Sequence, residues 1–130
     1  MKRVVAALIV KDELILACQR TRHQPMPLKW EFPGGKIEEG EQPRAAMRRE
    51  LEEELGIIAD VGNEVFRLVH EYPGGGSVEL RFFEVRKYEG ELDNRIFREI
   101  RWVTRRELLA LDFLEADLGL VKQLAEGQIL

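Results

Sequence analysis

Three glutamates near the end of the longest helical pattern in the chain are the residues that could best do chemistry. The pattern runs from about Gln42 to Leu55, and Glu50, Glu53 and Glu54 lie close to its end. At 3.6 residues per turn, these three side chains fall within about 100° of one helix face. Like charges in this arrangement repel one another, and the helix macrodipole disfavours them near a C-terminus. The cluster is therefore either a solvated face or a cation site.

A hard divalent ion is the cation that suits such a cluster. Carboxylate oxygens are the preferred protein ligands of Mg²⁺, which keeps several waters and takes substrate phosphates as further ligands. Such an ion polarises phosphoryl oxygens and lowers the pKa of a coordinated water. It would also let this acidic chain, with a formal net charge of −4, bind a polyphosphate. The spacing alone does not choose between the solvated face and the metal site.

The residues around the cluster resemble a complete Nudix box, Gly-x5-Glu-x7-Arg-Glu-U-x-Glu-Glu-x-Gly-U, in which U is aliphatic. Residues 35–57 match every defined position of this motif, and Leu51 and Ile57 fill the aliphatic ones. The fixed identities are Gly35, Glu41, Arg49, Glu50, Glu53, Glu54 and Gly56. A match of this length favours the metal site over the solvated face.

The resemblance implies a hydrolase of phosphoanhydride bonds that depends on Mg²⁺, with Mn²⁺ as a possible substitute. Glu50, Glu53 and Glu54 would be the metal ligands and, together with Arg49, the catalytic residues. In this interpretation Arg49 orients the glutamates, and the carbonyl of Gly34 completes the metal coordination.

Glu99 is a further candidate from the same resemblance. It lies three residues before Trp102, in a region where related enzymes place an acidic residue. It would serve as an additional metal ligand or as the general base. A surface charge on a strand is the alternative interpretation.

The similarity extends over nearly the whole chain to the MutT-type nucleoside triphosphate pyrophosphohydrolases. Residues 30–38, Trp-Glu-Phe-Pro-Gly-Gly-Lys-Ile-Glu, are close to the segment that those enzymes carry before and into the box. By position, Arg20 would contact the nucleotide, Phe32 would line the base pocket and Asp117 would recognise the base. The alternatives are a surface charge for Arg20, a core aromatic for Phe32 and a solvated helix residue for Asp117.

Asp117 limits the choice of substrate without making it. MutT has an amide here, whereas an aspartate resembles CTP and 5-methyl-dCTP pyrophosphohydrolases and some enzymes that remove oxidised purines. A carboxylate can accept from a guanine edge or a cytosine amino group, and a protonated carboxyl can also pair with cytosine N3. We expect 8-oxo-dGTP, with CTP or 5-methyl-dCTP as the alternative, and ADP-ribose, dinucleoside polyphosphates or capped RNA as rivals. A non-enzymatic sensing domain is disfavoured because every box glutamate is present.

Composition restricts the remaining possibilities. The length of 130 residues suits one domain, 1–130, and the acidic balance lacks the basic surface of a duplex-binding protein. Cys18 is the only cysteine and lies in an apolar strand-like run, so no intramolecular disulfide is possible. No apolar run approaches the roughly 18 residues of a membrane span. We expect a cytoplasmic protein that binds neither membranes nor nucleic-acid polymers, as a monomer or a homodimer.

The alternation of apolar and polar residues predicts the elements that must position these side chains. The expected strands are 4–10, 14–19, 30–32, 65–72, 78–86 and 100–103. The expected helices are 42–55, a short one opened by a capping box at 104–107, and 115–126. Residues 20–29 are expected to form a loop, and 91–98 a loop or an edge strand. This order predicts an α+β fold, which the resemblance makes a Nudix-type mixed β-sheet sandwiched between helices (α/β/α).

Overall fold

Seven strands and two α-helices form the protein in a computed structural model that describes residues 1–130. The strands are β1 (Lys2–Lys11), β2 (Leu14–Gln19), β3 (Trp30–Glu31), β4 (Gly34–Lys36), β5 (Ile58–Glu71), β6 (Ser77–Glu89) and β7 (Glu99–Val103). The α-helices are α1 (Pro43–Leu55) and α2 (Leu118–Ala125), and Glu107–Ala110 and Glu115–Asp117 form short 3-10 turns. None of the helices is long and apolar enough to cross a membrane.

The sheet is mixed and is built around β1. Its order is β3-β2-β1-β6-β5, with β4 also paired to β1 and β7 to β2. The strand β1 runs parallel to β6 and antiparallel to β2 and β4. Because β1 pairs with three strands and is covered on both faces, its sequence is almost continuously apolar. The predicted α+β class and mixed sheet are confirmed.

Two separate hydrophobic cores lie on the two faces of the sheet. Along β1, Val5 and Ile9 belong to the core beneath α1, whereas Ala6 and Leu8 belong to the core beneath α2. Successive side chains of a strand point to opposite faces, so this alternation follows directly from the extended backbone. The resulting helix–sheet–helix arrangement is the predicted α/β/α layering.

The helix α1 has local signals at both ends. Pro43 occupies its first turn, and Gly56 ends it with a left-handed φ of 67°. Met47, Leu51 and Leu55 are fully buried at i, i+4 and i+8, as the apolar stripe predicts. Each buried side chain of this size contributes about 2 kcal/mol through the hydrophobic effect, which anchors the helix on the sheet. Glu52 and Glu53 are exposed on the solvent side of the helix, whereas Glu54, next to Leu55, is buried.

The structure differs from the predicted elements in three places. The strand β5 begins at Ile58 rather than Val65. Residues 60–64 interrupt the regular alternation of apolar and polar side chains, because the pairing of β5 with β6 shifts register within this segment. The short strand β4 was not expected, since its pairing with β1 is a long-range contact. The final helix opens with the 3-10 turn Glu115–Asp117. Residues 91–98 contain no strand, which agrees with the predicted loop rather than the edge strand.

Candidate active site

The site begins where the end of α1 meets β4. Glu54 is only 8% exposed, and its Oε1 accepts a hydrogen bond of 3.2 Å from the backbone N–H of Gly34. A Cβ atom on Gly34 would overlap the Val5 carbonyl and come within 2.7 Å of the Ala6 Cα, so only glycine lets β4 lie this close to β1. The backbone at Gly34 is thus held against a buried carboxylate.

The neighbouring glycine accommodates a second carboxylate. A Cβ atom on Gly35 would overlap the carboxyl group of Glu50, which packs directly against the strand. Burial, followed by the charge of Glu50, raises the pKa of Glu54. Two acidic side chains of successive helical turns therefore share one small space beside β4.

Arg49 connects the acidic residues of the motif. It donates to both carboxylate oxygens of Glu41 at 2.9 and 3.0 Å, to the Lys36 carbonyl at 3.0 Å and to Glu50 Oε1 at 2.9 Å. A longer contact of 3.4 Å reaches Glu53 Oε2. The hydrogen bonds from Arg49, followed by one from the backbone N–H of Glu38, lower the pKa of Glu41 to about 2. The expected orienting role of Arg49 thus has a geometric basis in the structure.

The electrostatics of the cluster fit a divalent cation. Burial, the charge of Glu50 and the hydrogen bond to Glu50 raise the pKa of Glu54 well above its usual range, and the charge of Glu31 adds to this. Buried carboxylates repel one another, and a bound divalent ion would offset this repulsion. Carboxylate oxygens are also the ligands that hard ions such as Mg²⁺ prefer. No three side chains of the types that bind metals are drawn together as a finished coordination site. Arg49 holds Glu50 and Glu53, so the ligand roles stay a prediction.

A cavity of about 310 Å³ extends from this cluster. The residues that line it include six that the sequence singled out: Arg20, Phe32, Gly34, Gly35, Glu54 and Asp117. They follow β2 and β3, belong to β4 and α1, or end the 3-10 turn before α2, so the fold brings distant parts of the chain to one opening. One carboxylate of the acidic cluster, Glu54, therefore shares a binding space with the base-directed candidates, whereas Glu50 and Glu53 do not line it.

The far side of the cavity carries the candidate base-recognising residues. Asp117 is 5% exposed, so the interpretation as a solvated helix residue is wrong. Burial, followed by the charge of Glu31, raises the pKa of Asp117 to about 7. Phe32 lines the cavity and also packs against Phe113 and Phe82, with ring centroids 5.1 and 6.3 Å apart. Phe32 is therefore both a core aromatic and a cavity wall.

Arg20 lines the cavity together with Glu31, a residue to which the sequence interpretation gave no role. Its Nη1 donates to Glu31 Oε1 at 3.0 Å, and its Nε donates to the Pro25 carbonyl at 2.9 Å. Burial raises the pKa of Glu31, against the lowering effect of Arg20. The sequence did contain a signal for Glu31. It lies between two aromatic residues, Trp30 and Phe32, and successive side chains of a strand point to opposite faces, so Glu31 must face away from them.

Glu99 lies apart from the other candidates. Its carboxylate pairs with Arg101 at 2.8 Å, and its side chain is 37% exposed. Glu99 is not among the residues that line the cavity. Its role as a ligand or a base stays a prediction.

Comparison with known proteins agrees with this fold. The family model described as the NUDIX domain matches residues 1–124, so the chain belongs to the Nudix family. Hydrolases of this family generally need a divalent metal.

Individual relatives span nearly the same length. The CTP pyrophosphohydrolase of Escherichia coli K12 is 37% identical over 94% of this chain and 90% of its own. The 8-oxo-dGTP diphosphatase of Haemophilus influenzae is 38% identical over 92% of this chain and 89% of its own. The solution structure of the E. coli ORF135 protein superimposes with a TM-score of 0.84 at 37% identity, covering 94% of this chain and 86% of that one.

Proposed function

We propose that the protein is a magnesium-dependent nucleoside triphosphate pyrophosphohydrolase that acts on 8-oxo-dGTP and releases the monophosphate and pyrophosphate. One observation carries this proposal: a single cavity joins Glu54 of the glutamate cluster to Asp117 and Phe32. A nucleotide in this space would direct its phosphates to the acidic cluster and its base to the buried carboxyl group. Two relatives of similar length are named for hydrolysing nucleoside triphosphates, which supports the same activity.

The reaction is a substitution at phosphorus by water. The oxygen of water forms a bond to one of the two phosphorus atoms that flank the α–β bridging oxygen. The bond from that phosphorus to the bridging oxygen breaks, which separates the monophosphate from pyrophosphate. Glu50, Glu53 and Glu54 would hold Mg²⁺, which when bound neutralises phosphate charge and polarises the phosphoryl oxygens. A carboxylate of the cluster, or Glu99, accepts the proton of the attacking water.

The other residues of the site position these groups. Arg49 keeps Glu50 and Glu53 in place through its hydrogen bonds, and Gly34 holds Glu54. The helix α1 is anchored in the hydrophobic core and β4 is paired with β1, so the carboxylates are arranged before substrate binds. Phe32 presents an apolar wall to the base, and Arg20 supplies a cationic group at the cavity.

CTP or 5-methyl-dCTP is a second candidate substrate, which the raised pKa of Asp117 also supports. With that pKa raised to about 7, a substantial fraction of the carboxyl group is protonated at neutral pH. A protonated carboxyl offers one donor and one acceptor, which match N3 and the amino group of cytosine. The ionised form instead accepts from the adjacent N–H groups of a guanine edge. The two protonation states therefore support different bases.

Steady-state hydrolysis of a substrate panel tests this proposal. Oxidised, methylated and canonical nucleoside triphosphates are compared with ADP-ribose, a dinucleoside polyphosphate and capped RNA, in Mg²⁺ and then in Mn²⁺. We expect the highest kcat/KM for 8-oxo-dGTP, with monophosphate and pyrophosphate identified by mass spectrometry. Preference for a cytosine nucleotide would establish the second candidate, whereas preference for ADP-ribose or release of orthophosphate alone would refute both.

A further inference from the structure

The C-terminal turn of α1 is electrostatically unfavourable on its own. It carries Glu52, Glu53 and Glu54 in succession, and no basic residue lies in the last turn. The partial negative charge at a helix C-terminus adds to the repulsion between these carboxylates. The turn that bears two of the site glutamates therefore needs stabilisation from outside the helix.

The segment 91–98 supplies that stabilisation. The backbone N–H of Asp93 donates to the Leu55 carbonyl at 2.9 Å, and the N–H of Arg95 donates to the Glu54 carbonyl at 3.1 Å. The guanidinium of Arg95 also donates from Nη1 to the Glu52 carbonyl at 3.1 Å. Two carbonyls that the helix end leaves without intrahelical partners, those of Glu54 and Leu55, are thus satisfied by one short segment, and the Glu52 carbonyl gains a second donor.

The side chain of Arg95 is held against the helix end from two directions. Its Nε donates to the Asp93 carboxylate at 3.0 Å. A Cβ atom on Gly56 would lie 2.8 Å from Nη2 of Arg95, so the glycine that ends α1 also leaves room for the guanidinium. Gly56 additionally needs its left-handed φ of 67°, which a larger residue adopts only with strain. The final glycine of the motif therefore serves both the turn and the arginine.

We propose that Arg95 is a positioning residue for the site glutamates. It acts through the backbone carbonyl of Glu52, which also accepts the N–H of Gly56 at 3.0 Å, and its charge opposes the negative end of α1. Fixing the last turn fixes the Cα positions from which Glu53 and Glu54 reach the site. This inference rests on the proposed function for the role of those glutamates, but the contact itself does not.

The test compares Arg95→Ala with a matched control on the same segment. Arg98 donates from Nη1 to the side chain of Gln19 on β2 at 2.9 Å rather than to α1, so Arg98→Ala removes an equal charge elsewhere. Three quantities are measured: amide hydrogen exchange at Gly56, Mn²⁺ affinity by electron paramagnetic resonance without substrate, and the Mg²⁺ dependence of hydrolysis. The melting temperature is recorded for each variant.

Arg95→Ala should accelerate exchange of the Gly56 amide about fivefold to tenfold, since the end of the helix opens more often. It should weaken Mn²⁺ affinity by about tenfold and raise the half-saturating Mg²⁺ concentration similarly, because residues that hold metal ligands in position affect metal affinity by this amount. Arg95→Lys should restore part of both effects, because it keeps the charge and one donor. Arg98→Ala should match the wild type in exchange and metal affinity.

Wild-type exchange at Gly56 and wild-type Mn²⁺ affinity in Arg95→Ala would overturn the proposal. Equal effects from Arg98→Ala would overturn it too, because they would show that loss of any nearby positive charge, rather than loss of the Arg95 contact, weakens the site. If Arg95→Ala does not fold, Arg95→Lys and Arg95→Gln carry the same comparison. A wild-type protein that hydrolyses no nucleotide would refute the proposed function, while exchange and metal binding would still decide the role of Arg95.

Discussion

The Oε1 atom of Glu54 lies 3.2 Å from the backbone nitrogen of Gly34, so one hydrogen bond ties the end of α1 to β4. The carboxylate is buried at this point and lies beside Glu50, which packs on Gly35. The geometry of the acidic cluster is therefore set by two anchored elements rather than by a mobile loop. Changes that leave those elements intact can test the chemistry separately from the fold.

Replacing Glu53 by Gln should lower the rate of pyrophosphate release by about 100-fold or more at saturating Mg²⁺. Glu53 is 59% exposed, so the loss of its charge should leave the melting temperature nearly unchanged. Glu52→Gln, on the same turn but pointing to solvent, is the matched control and should keep the wild-type rate. A wild-type rate in Glu53→Gln would remove Glu53 from the catalytic set.

Removing divalent metal should abolish hydrolysis without unfolding the protein. The fully buried stripe of Met47, Leu51 and Leu55 anchors α1 through apolar contacts that need no ion. Activity and far-ultraviolet circular dichroism are measured before and after chelation, and again after Mg²⁺ or Mn²⁺ is added back. Loss of the circular dichroism signal on chelation would show that the metal is structural instead.

Gly35→Ala should impair metal-dependent activity more than stability. The new Cβ atom would overlap the Glu50 carboxyl group, which can move only by leaving its place beside Glu54. We expect about a tenfold increase in the half-saturating Mg²⁺ concentration, measured by initial rates. Gly74→Ala, where a Cβ atom would have no neighbour within 4 Å, is the control. An unchanged Mg²⁺ requirement in Gly35→Ala would mean that Glu50 does not depend on this packing.

Asp117→Asn should change the ranking of bases while sparing pyrophosphate release itself. A buried recognition group left unpaired by the wrong base costs about 1–3 kcal/mol, which corresponds to roughly tenfold to hundredfold selectivity. The kcat/KM values for 8-oxo-dGTP, dGTP and CTP are compared in both proteins, with Glu115→Gln as an exposed control nearby. If every nucleotide slows by one common factor, Asp117 does not recognise the base.

The same substitution should alter the pH dependence of stability. Because the pKa of Asp117 is raised from its ordinary value of 3.8 to about 7, the folded protein binds more protons than the unfolded chain between these values. Stability therefore falls as pH rises through that window, by a contribution on the order of 4 kcal/mol. Asp117→Asn lacks this loss, so its melting temperature relative to wild type should increase from pH 4 to 7 and then level off.

Thermal denaturation at several pH values measures this difference. Glu115→Gln is exposed and should follow the wild-type profile throughout the range. Parallel profiles for wild type and Asp117→Asn would show that the carboxyl of Asp117 has an ordinary pKa in the folded protein.

Local sequence patterns determined the motif, the helix that carries it and most strands. Helical periodicity, Pro43 and Gly56 are short-range signals, so the bounds of α1 and its buried stripe could be predicted without any partner. The apolar run of β1 likewise predicted a strand, and three residues of the cavity, Arg20, Phe32 and Asp117, could be named by resemblance. The first half of β5 could not be predicted in this way, because register shifts at residues 60–64 make its alternation of apolar and polar side chains irregular.

Tertiary structure alone decided which of these residues meet and what their surroundings do to them. Arg20, Phe32 and Asp117 line one cavity with Glu54, whereas Glu99 pairs with Arg101 outside it. The raised pKa of Asp117 comes from burial and from Glu31, neither of which its neighbours in sequence reveal. Burial and close approach are sums over contacts between distant segments, so a local pattern can name a carboxylate but only the folded chain sets its pKa.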